Sequence, residues 1–266
     1  MNDLLTAFAG VDPIAFSVGP FSVHWYGLAY ITGILAGVGL GYYFARRWGL
    51  AVSTDDLLTI ALCVTVGIIV GGRLGYVLFY GGTQYWTAPS RVFAIYDGGM
   101  SFHGGFLGCV VGGYVASRLV KVPFLTLLDL GGLAAPIGLF LGRISNFING
   151  EVWGRTTDAS WGVVFSGAGE LARHPSQLYE AFLEGIVLLA IMVLLARRVP
   201  SLRKGVMFSW FLILYGIFRV SAELFREPDR SLGFLVGDWL TMGMLLSIPM
   251  VLAGIALLKW STRDVT

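Results

Sequence analysis

Seven apolar stretches, each close to the length of a bilayer-spanning helix, constrain this chain more than any other feature. They lie at about 21–45, 57–79, 101–119, 125–143, 178–196, 205–225 and 238–258. A helix needs about 20 mostly apolar residues to cross the hydrocarbon core. The third and fourth stretches are marginal, because glycine lowers their hydropathy. Charged residues make up only 13% of the 266, against about 25% in soluble proteins. Such a chain cannot keep its surface wet, so it reads as an integral membrane protein. No linker, low-complexity tract or composition break marks a second soluble domain, and 1–266 is expected to form a single integral membrane domain. The longest polar interval, 144–177, predicts an ordered head inserted between spans four and five, with short strands around Trp161 to Phe165. The expected fold is an all-α membrane protein of seven transmembrane helices with a small extracytoplasmic head.

Basic residues orient the spans. Arg46, Arg47, Arg118, Lys121, Arg197, Arg198, Arg203, Lys204, Lys259 and Arg263 all follow odd-numbered spans and account for ten of the 18 Lys and Arg. The positive-inside rule makes that side cytoplasmic. The C-terminus is then cytoplasmic, while the N-terminus, with Asp3 and Asp12 and no basic residue, lies outside together with the head. The opening MNDLLTAFAGVD lacks a basic n-region and does not read as a cleaved signal peptide. Glycines recur every four positions at 33, 37 and 41, at 67, 71 and 75, at 104, 108 and 112, and at 138 and 142. That period puts each set on one helix face, where it can serve close packing in one bundle, a dimer face or room for a lipid tail. Cys63 and Cys109 lie in separate apolar runs and read as packed thiols.

Polar residues converge on the outer ends of the spans. The stretch GLFLGRISNFINGEVWG (Gly138–Gly154) runs from apolar helix into Arg143, Asn146, Asn149 and Glu151. With the topology above, Arg73, His103, Arg143, Arg219, His24 and Tyr26 share that outer layer. Ionisable groups inside a membrane mark functional sites by default. In span six, Tyr215, Arg219, Glu223 and Arg226 follow i, i+4, i+8, i+11 spacing and share a face. Arg219 and Glu223 either neutralise each other or form part of an anion site. The second reading gains from Arg143, since two or three arginines against few nearby acids would leave positive charge uncompensated. A planar guanidinium suits a phosphate bidentately, so the expected ligand is an anionic phospholipid.

His103, in GGMSFHGG, is either structural or a general base near neutral pH. His24 and His174 look less central, and HPSQLYEA reads as a turn into span five. Asn146, Asn149 and Glu151 either satisfy backbone groups at the end of span four or bind ligand. Gly150 and Gly154 are expected to make turns. Tyr26 either bonds a headgroup or serves as an interfacial anchor. The chain has no G-x-S-x-G elbow, His-Glu-x-x-His, Walker loop or cluster with metal-ligand spacing, and nothing in it suggests nucleic acid. A transporter or channel is the main competing class. Against it stand the lack of an internal repeat and charges that stop at one depth.

The segment GRISNFINGEVWGR (Gly142–Arg155) resembles the signature of bacterial prolipoprotein diacylglyceryl transferases. HWYGLAY, GGRLGYVLFY, GGMSFHGG, HPSQLYEA and FREPD extend the resemblance, in order, over nearly the whole chain. It implies a seven-span enzyme of the bacterial inner membrane with a periplasmic head and its active site toward the periplasm. Such an enzyme moves the diacylglyceryl group of phosphatidylglycerol onto the lipobox cysteine thiol of a preprolipoprotein. This is the first step of lipoprotein maturation, and glycerol 1-phosphate is released. The implied partners are phosphatidylglycerol, the preprolipoprotein signal peptide and membrane lipid, with no cofactor and no metal. The resemblance maps essential positions onto His103, Arg143, Asn146, Glu151, Gly154 and Arg219. It maps further pocket positions onto Tyr26, Tyr215, Glu223 and Arg226. Arg143 and Arg219 would then hold the phosphate, and either His103 or the arginine field would activate the thiol.

Overall fold

The computed structural model describes residues 6, 9, 11–19, 21–79, 85, 88–94, 99–198, 203–228 and 233–263, without the side chains of Phe21, Phe102 and His103. Asp3, Tyr80, Gly98 and Asp229 lie outside the described residues. The elements in order are β1 (Ile14–Val18), β2 (Phe21–His24), α1 (Trp25–Arg47), α2 (Thr54–Phe79), a 3-10 turn (Pro89–Phe93) and α3 (Phe102–Leu119). Then come α4 (Phe124–Ile148), α5 (Ser176–Arg198), α6 (Val206–Glu223) and α7 (Met242–Thr262). Among the described residues, six helices are long and apolar enough to cross a membrane: α1, α2, α4, α5, α6 and α7. In lipid a helix satisfies every backbone N–H and C=O internally, which is why these runs adopt it. The 18-residue α3 is not among the six, and five of its residues are glycines.

The chain forms two compact units, residues 45–128 and residues 1–44 with 129–266. In the first, α2 and α3 pack backbone to backbone. A Cβ on Gly67 would lie 2.2 Å from the Gly108 carbonyl oxygen, and one on Gly71 would lie 2.3 Å from that of Gly104. For this pair the glycine period serves close packing within one unit. Ser53 and Asp56 start α2 with a reciprocal capping box: the Asp56 carboxylate accepts from the Ser53 amide at 2.8 Å, and Ser53 Oγ accepts from the Asp56 amide at 3.1 Å. Arg73 is buried and donates to the carbonyls of Arg91, Val92, Ala94 and Gly99 at 2.6–3.2 Å. It thereby fastens the segment around the 3-10 turn to α2.

In the second unit, the β1–β2 hairpin pairs Val18 with Phe21 and Ser17 with Ser22. It leads straight into α1, so the first span starts at Trp25 rather than at residue 21, and the fold is mostly helical rather than purely so. Trp25 is tied back to the hairpin base by its amide on Pro13 O and its indole on Asp12 O, both at 3.1 Å. Asp129, buried in α4, accepts from the amides of Gly205 at 2.7 Å and Phe208 at 2.8 Å. It supplies acceptors that the first turn of α6 lacks. Buried charge in α4 is therefore not confined to the end that carries Arg143. Asp129 lies fourteen positions before Arg143 on the same helix, about 21 Å along its axis.

The polar interval is ordered. Because α4 runs to Ile148 and α5 starts at Ser176, the irregular stretch is 149–175. Val163, Phe165, Phe147 and Ala9 form its core, with Trp153 stacked on Phe165 at 6.3 Å. The expected strands around Trp161 to Phe165 do not form. Val163 and Thr156 each make only an isolated bridge to Arg173.

Candidate active site

Two polar clusters occupy the end of α4 and the helices beside it. The first is built on Glu180 and Glu184, one turn apart in α5 and both fully buried. Arg143 in α4 approaches Glu180 with Nε at 2.8 Å and Glu184 with Nη2 at 3.4 Å. Arg219 in α6 reaches Glu180 at 2.7 Å, Glu184 at 3.6 Å and Glu223 at 2.6 Å. Arg226, just past the end of α6, places Nη1 3.0 Å from Glu180. One carboxylate thus collects three guanidiniums from two other segments. Glu223 is itself fixed by the Thr241 hydroxyl at 3.0 Å. Gly243 packs against it, and a Cβ there would stand 2.7 Å from the carboxylate carbon and displace the carboxylate.

Local backbone explains how the carboxylates meet the arginines. Residues Ala181–Val187 of α5 form a π-helical stretch, a feature frequent at functional sites. Gly185 within it lets α4 approach, because a Cβ would lie 2.6 Å from that of Phe140. Gly154 binds the irregular segment to the end of α6. Its amide donates to His174 O at 2.9 Å, it bridges to Arg226, and the Arg155 amide donates to Phe225 O at 2.9 Å.

The second cluster surrounds Asn146, one turn after Arg143 on α4. Its side-chain amide donates to the Tyr26 hydroxyl of α1 and to Glu151 Oε1, the latter at 3.0 Å. Asn149 also reaches Glu151 Oε1, at 3.4 Å, while the Glu151 amide donates to Asn146 O and its carbonyl accepts from Gln177 Nε2 at 2.7 Å. Next to it, Val152 has a φ of +61°, which is uncommon and strained for a β-branched residue. Tyr215 stands one turn before Arg219 on α6, its ring stacked on Phe211 at 5.6 Å.

Arg143, Arg219, Glu223 and Arg226 therefore meet in one cluster, and Tyr26, Asn146 and Glu151 in the other. His103 sits in the first turn of α3, in the unit of residues 45–128, and its side chain lies outside the described residues. Gly150 makes the expected turn, with a φ of +64°. Gly154 does not; it lies in an extended pairing. Arg226 is beyond the helix end, not on the face of α6, yet reaches the same carboxylate.

The expectation of uncompensated positive charge is overturned. Three guanidiniums face three carboxylates, Glu180, Glu184 and Glu223, so the cluster is formally neutral when all are ionised. Sequence reasoning passed over Glu180 and Glu184 although both fall inside span five, where the rule applied to the arginines would have flagged them. His174 contacts the Tyr179 hydroxyl through Nδ1 at 3.1 Å, and that hydroxyl accepts from the Trp161 indole at 2.7 Å. Burial holds the His174 imidazole below its ordinary pKa.

Six membrane-length helices, with arginines and glutamates gathered where α4, α5 and α6 meet, define a multi-pass membrane protein with a buried polar site. A family model for prolipoprotein diacylglyceryl transferase matches residues 13–260. The phosphatidylglycerol–prolipoprotein diacylglyceryl transferase of Rhodopseudomonas palustris is 51% identical over 268 residues, covering 97% of this chain and 92% of its own. The enzyme of the same name from Geobacter sulfurreducens is 47% identical over 250 residues, covering 94% and 95%. That of Chromohalobacter salexigens is 44% identical, covering 98% and 96%. The chain belongs to the prolipoprotein diacylglyceryl transferase family.

Proposed function

We propose that this protein transfers the diacylglyceryl group of phosphatidylglycerol to the lipobox cysteine of a preprolipoprotein, the first step of lipoprotein maturation. The observation that carries the site assignment is the convergence of Arg143, Arg219 and Arg226 on Glu180 inside a membrane protein. The cysteine sulfur attacks the glycerol carbon that bears the phosphodiester. A carbon–sulfur bond forms, the carbon–oxygen bond breaks, and its electron pair leaves with glycerol 1-phosphate. Arg143 and Arg226 bond the phosphate and, with Arg219 beside them, offset the charge that grows on the departing oxygen. The thiol gives its proton to His103, the proposed base. The nucleophile comes from the substrate, consistent with Cys63 and Cys109 being free and partly buried.

In this reading α3 is a seventh span, with the backbone approach of α2 compensating for its low hydropathy. The N-terminus and residues 149–175 face the periplasm, and the C-terminus faces the cytoplasm. The basic residues that follow α1, α3, α5 and α7 support that orientation. Tyr26, Asn146, Glu151 and Tyr215 bind around the phosphatidylglycerol headgroup, and the signal peptide enters from the periplasmic side.

The test is incubation of purified protein with phosphatidylglycerol and a lipobox peptide. The expected result is a mass gain of one diacylglyceryl group on the cysteine, with glycerol phosphate released. An unmodified peptide alongside intact lipid contradicts the assignment. His103→Gln should lose turnover at neutral pH and recover it as the thiol ionises at high pH, while wild-type turnover at neutral pH removes His103 as the base.

A further inference from the structure

We infer that Glu180 is a positioning residue: it orients Arg143 and Arg226 so that their remaining N–H edges receive the phosphate, while Arg219 stays engaged with protein carboxylates. The inference rests on the transferase reading and extends it to a residue that the family resemblance did not single out.

The donor inventory supports it. Arg143 pairs in charge with Glu180 through Nε at 2.8 Å and donates from Nη2 to Glu184 at 3.4 Å. Among the described residues its Nη1 has no protein acceptor. Arg226 uses Nη1 on Glu180, and its backbone carbonyl accepts from Arg155 Nε. Its own Nε and Nη2 are left without an acceptor among the described residues. Arg219 differs: both terminal nitrogens lie on carboxylates, from three glutamates. It is also the least exposed of the three, at 13% against 18% and 22%.

A guanidinium is a planar fork, so a carboxylate that fixes one edge also fixes the plane of the other. Glu180 does this for Arg226, whose Nη1 donates to Oε1, while its Oε2 holds Arg143 by charge with Nε at 2.8 Å, and its own exposure is zero. It cannot swing to solvent when substrate arrives. It also keeps the resting site near neutral, so phosphatidylglycerol is selected by donor geometry and not by excess positive charge alone.

The test compares Glu180→Gln with wild type in phosphatidylglycerol vesicles with a lipobox peptide, taking kcat and KM for the lipid separately. The substitution keeps the side-chain volume but replaces one acceptor oxygen with a donor, so either Arg143 or the Arg219–Arg226 pair loses its anchor while the site gains net positive charge. The expected result is a kcat lower by about 100-fold, the size of loss a small misplacement produces, with KM for the lipid unchanged or reduced. Glu184→Gln, which removes only the contacts at 3.4 and 3.6 Å, should lose less. A kcat for Glu180→Gln within about threefold of wild type would overturn the proposal, because a misplaced guanidinium costs more than that. So would a rise in lipid KM that accounts for the whole loss, since Glu180 would then act on binding. If Glu180→Gln does not yield folded protein, Glu180→Asp, which keeps the charge and retracts it by one methylene, is judged by the same criteria. Absence of transfer by wild type would fail the transferase reading itself, and this inference with it.

Discussion

Gly154→Ala tests how the irregular segment is coupled to the arginine cluster. Gly154 is buried, and an added Cβ would stand 2.5 Å from His174 O, 2.6 Å from Phe225 O and 2.7 Å from His174 Cβ. Two of these are backbone atoms from separate segments, so no rotamer change relieves the clash. Overpacking of this kind costs about 1–3 kcal/mol. Weakening the amide's bond to His174 O adds about 1 kcal/mol. Against a typical stability of about 5–15 kcal/mol, the variant should fold with a lower thermal midpoint. Activity should fall further than stability, because the segment pushed aside carries Phe225 and Arg226, and Arg226 sits 3.0 Å from Glu180. A displacement near 1 Å at such a site costs about 100-fold in rate. The assay is lipidation of a lipobox peptide in phosphatidylglycerol vesicles, read beside thermal unfolding in detergent. The control is Gly131→Ala, whose Cβ meets nothing within 4 Å. It should keep its rate and gain stability of about 0.5–1 kcal/mol from helix propensity. A Gly154→Ala protein with the wild-type rate would refute the coupling.

Three further outcomes are expected. Asp129→Asn loses one of the two charged acceptors at the start of α6 and should cost about 1–2 kcal/mol in thermal unfolding, with the rate per folded molecule unchanged. Arg73→Met removes four donor bonds to carbonyls around the 3-10 turn, so limited proteolysis should cut within residues 88–99 far faster than in wild type. Gly108→Ala would put a Cβ 1.9 Å from the Gly67 carbonyl oxygen, whereas Gly113→Ala meets Phe124 at an ordinary 3.4 Å. The first should lower the thermal midpoint sharply and the second should not, and similar midpoints would contradict the tight α2–α3 packing.

The spans were legible in the sequence because a bilayer allows so few backbone solutions: α1, α2, α4, α5, α6 and α7 fall within a few residues of their expected limits. Where those limits shift, local hydrogen bonding is the cause. Residues 21–24 pair as a strand, and α4 carries on through Asn146 to Ile148. The arginines were legible as costly charges in apolar runs. Their partners Glu180 and Glu184 were open to the same rule, but HPSQLYEA reads as a turn on the strength of its proline, although α5 begins inside it at Ser176 and carries both glutamates. Asp129 was hidden differently: its acceptors serve amides of Gly205 and Phe208, more than seventy positions away. Tyr26 and Asn146 are separated by 120 positions, and no periodicity within one helix can reveal such a contact. Gly154 reads as a turn from the sequence and as an essential position only by family resemblance, and the structure supplies the reason as two backbone carbonyls with no room between them for a side chain.

The central claim is that guanidiniums gathered around Glu180 grip the phosphate of phosphatidylglycerol. It is tested most directly by a structure of the protein with that lipid bound. The account predicts phosphate oxygens within about 3.2 Å of Arg143 and Arg226, with Arg219 still on its glutamates. A headgroup seated away from Arg143 and Arg226, with both still closed on Glu180, would contradict it.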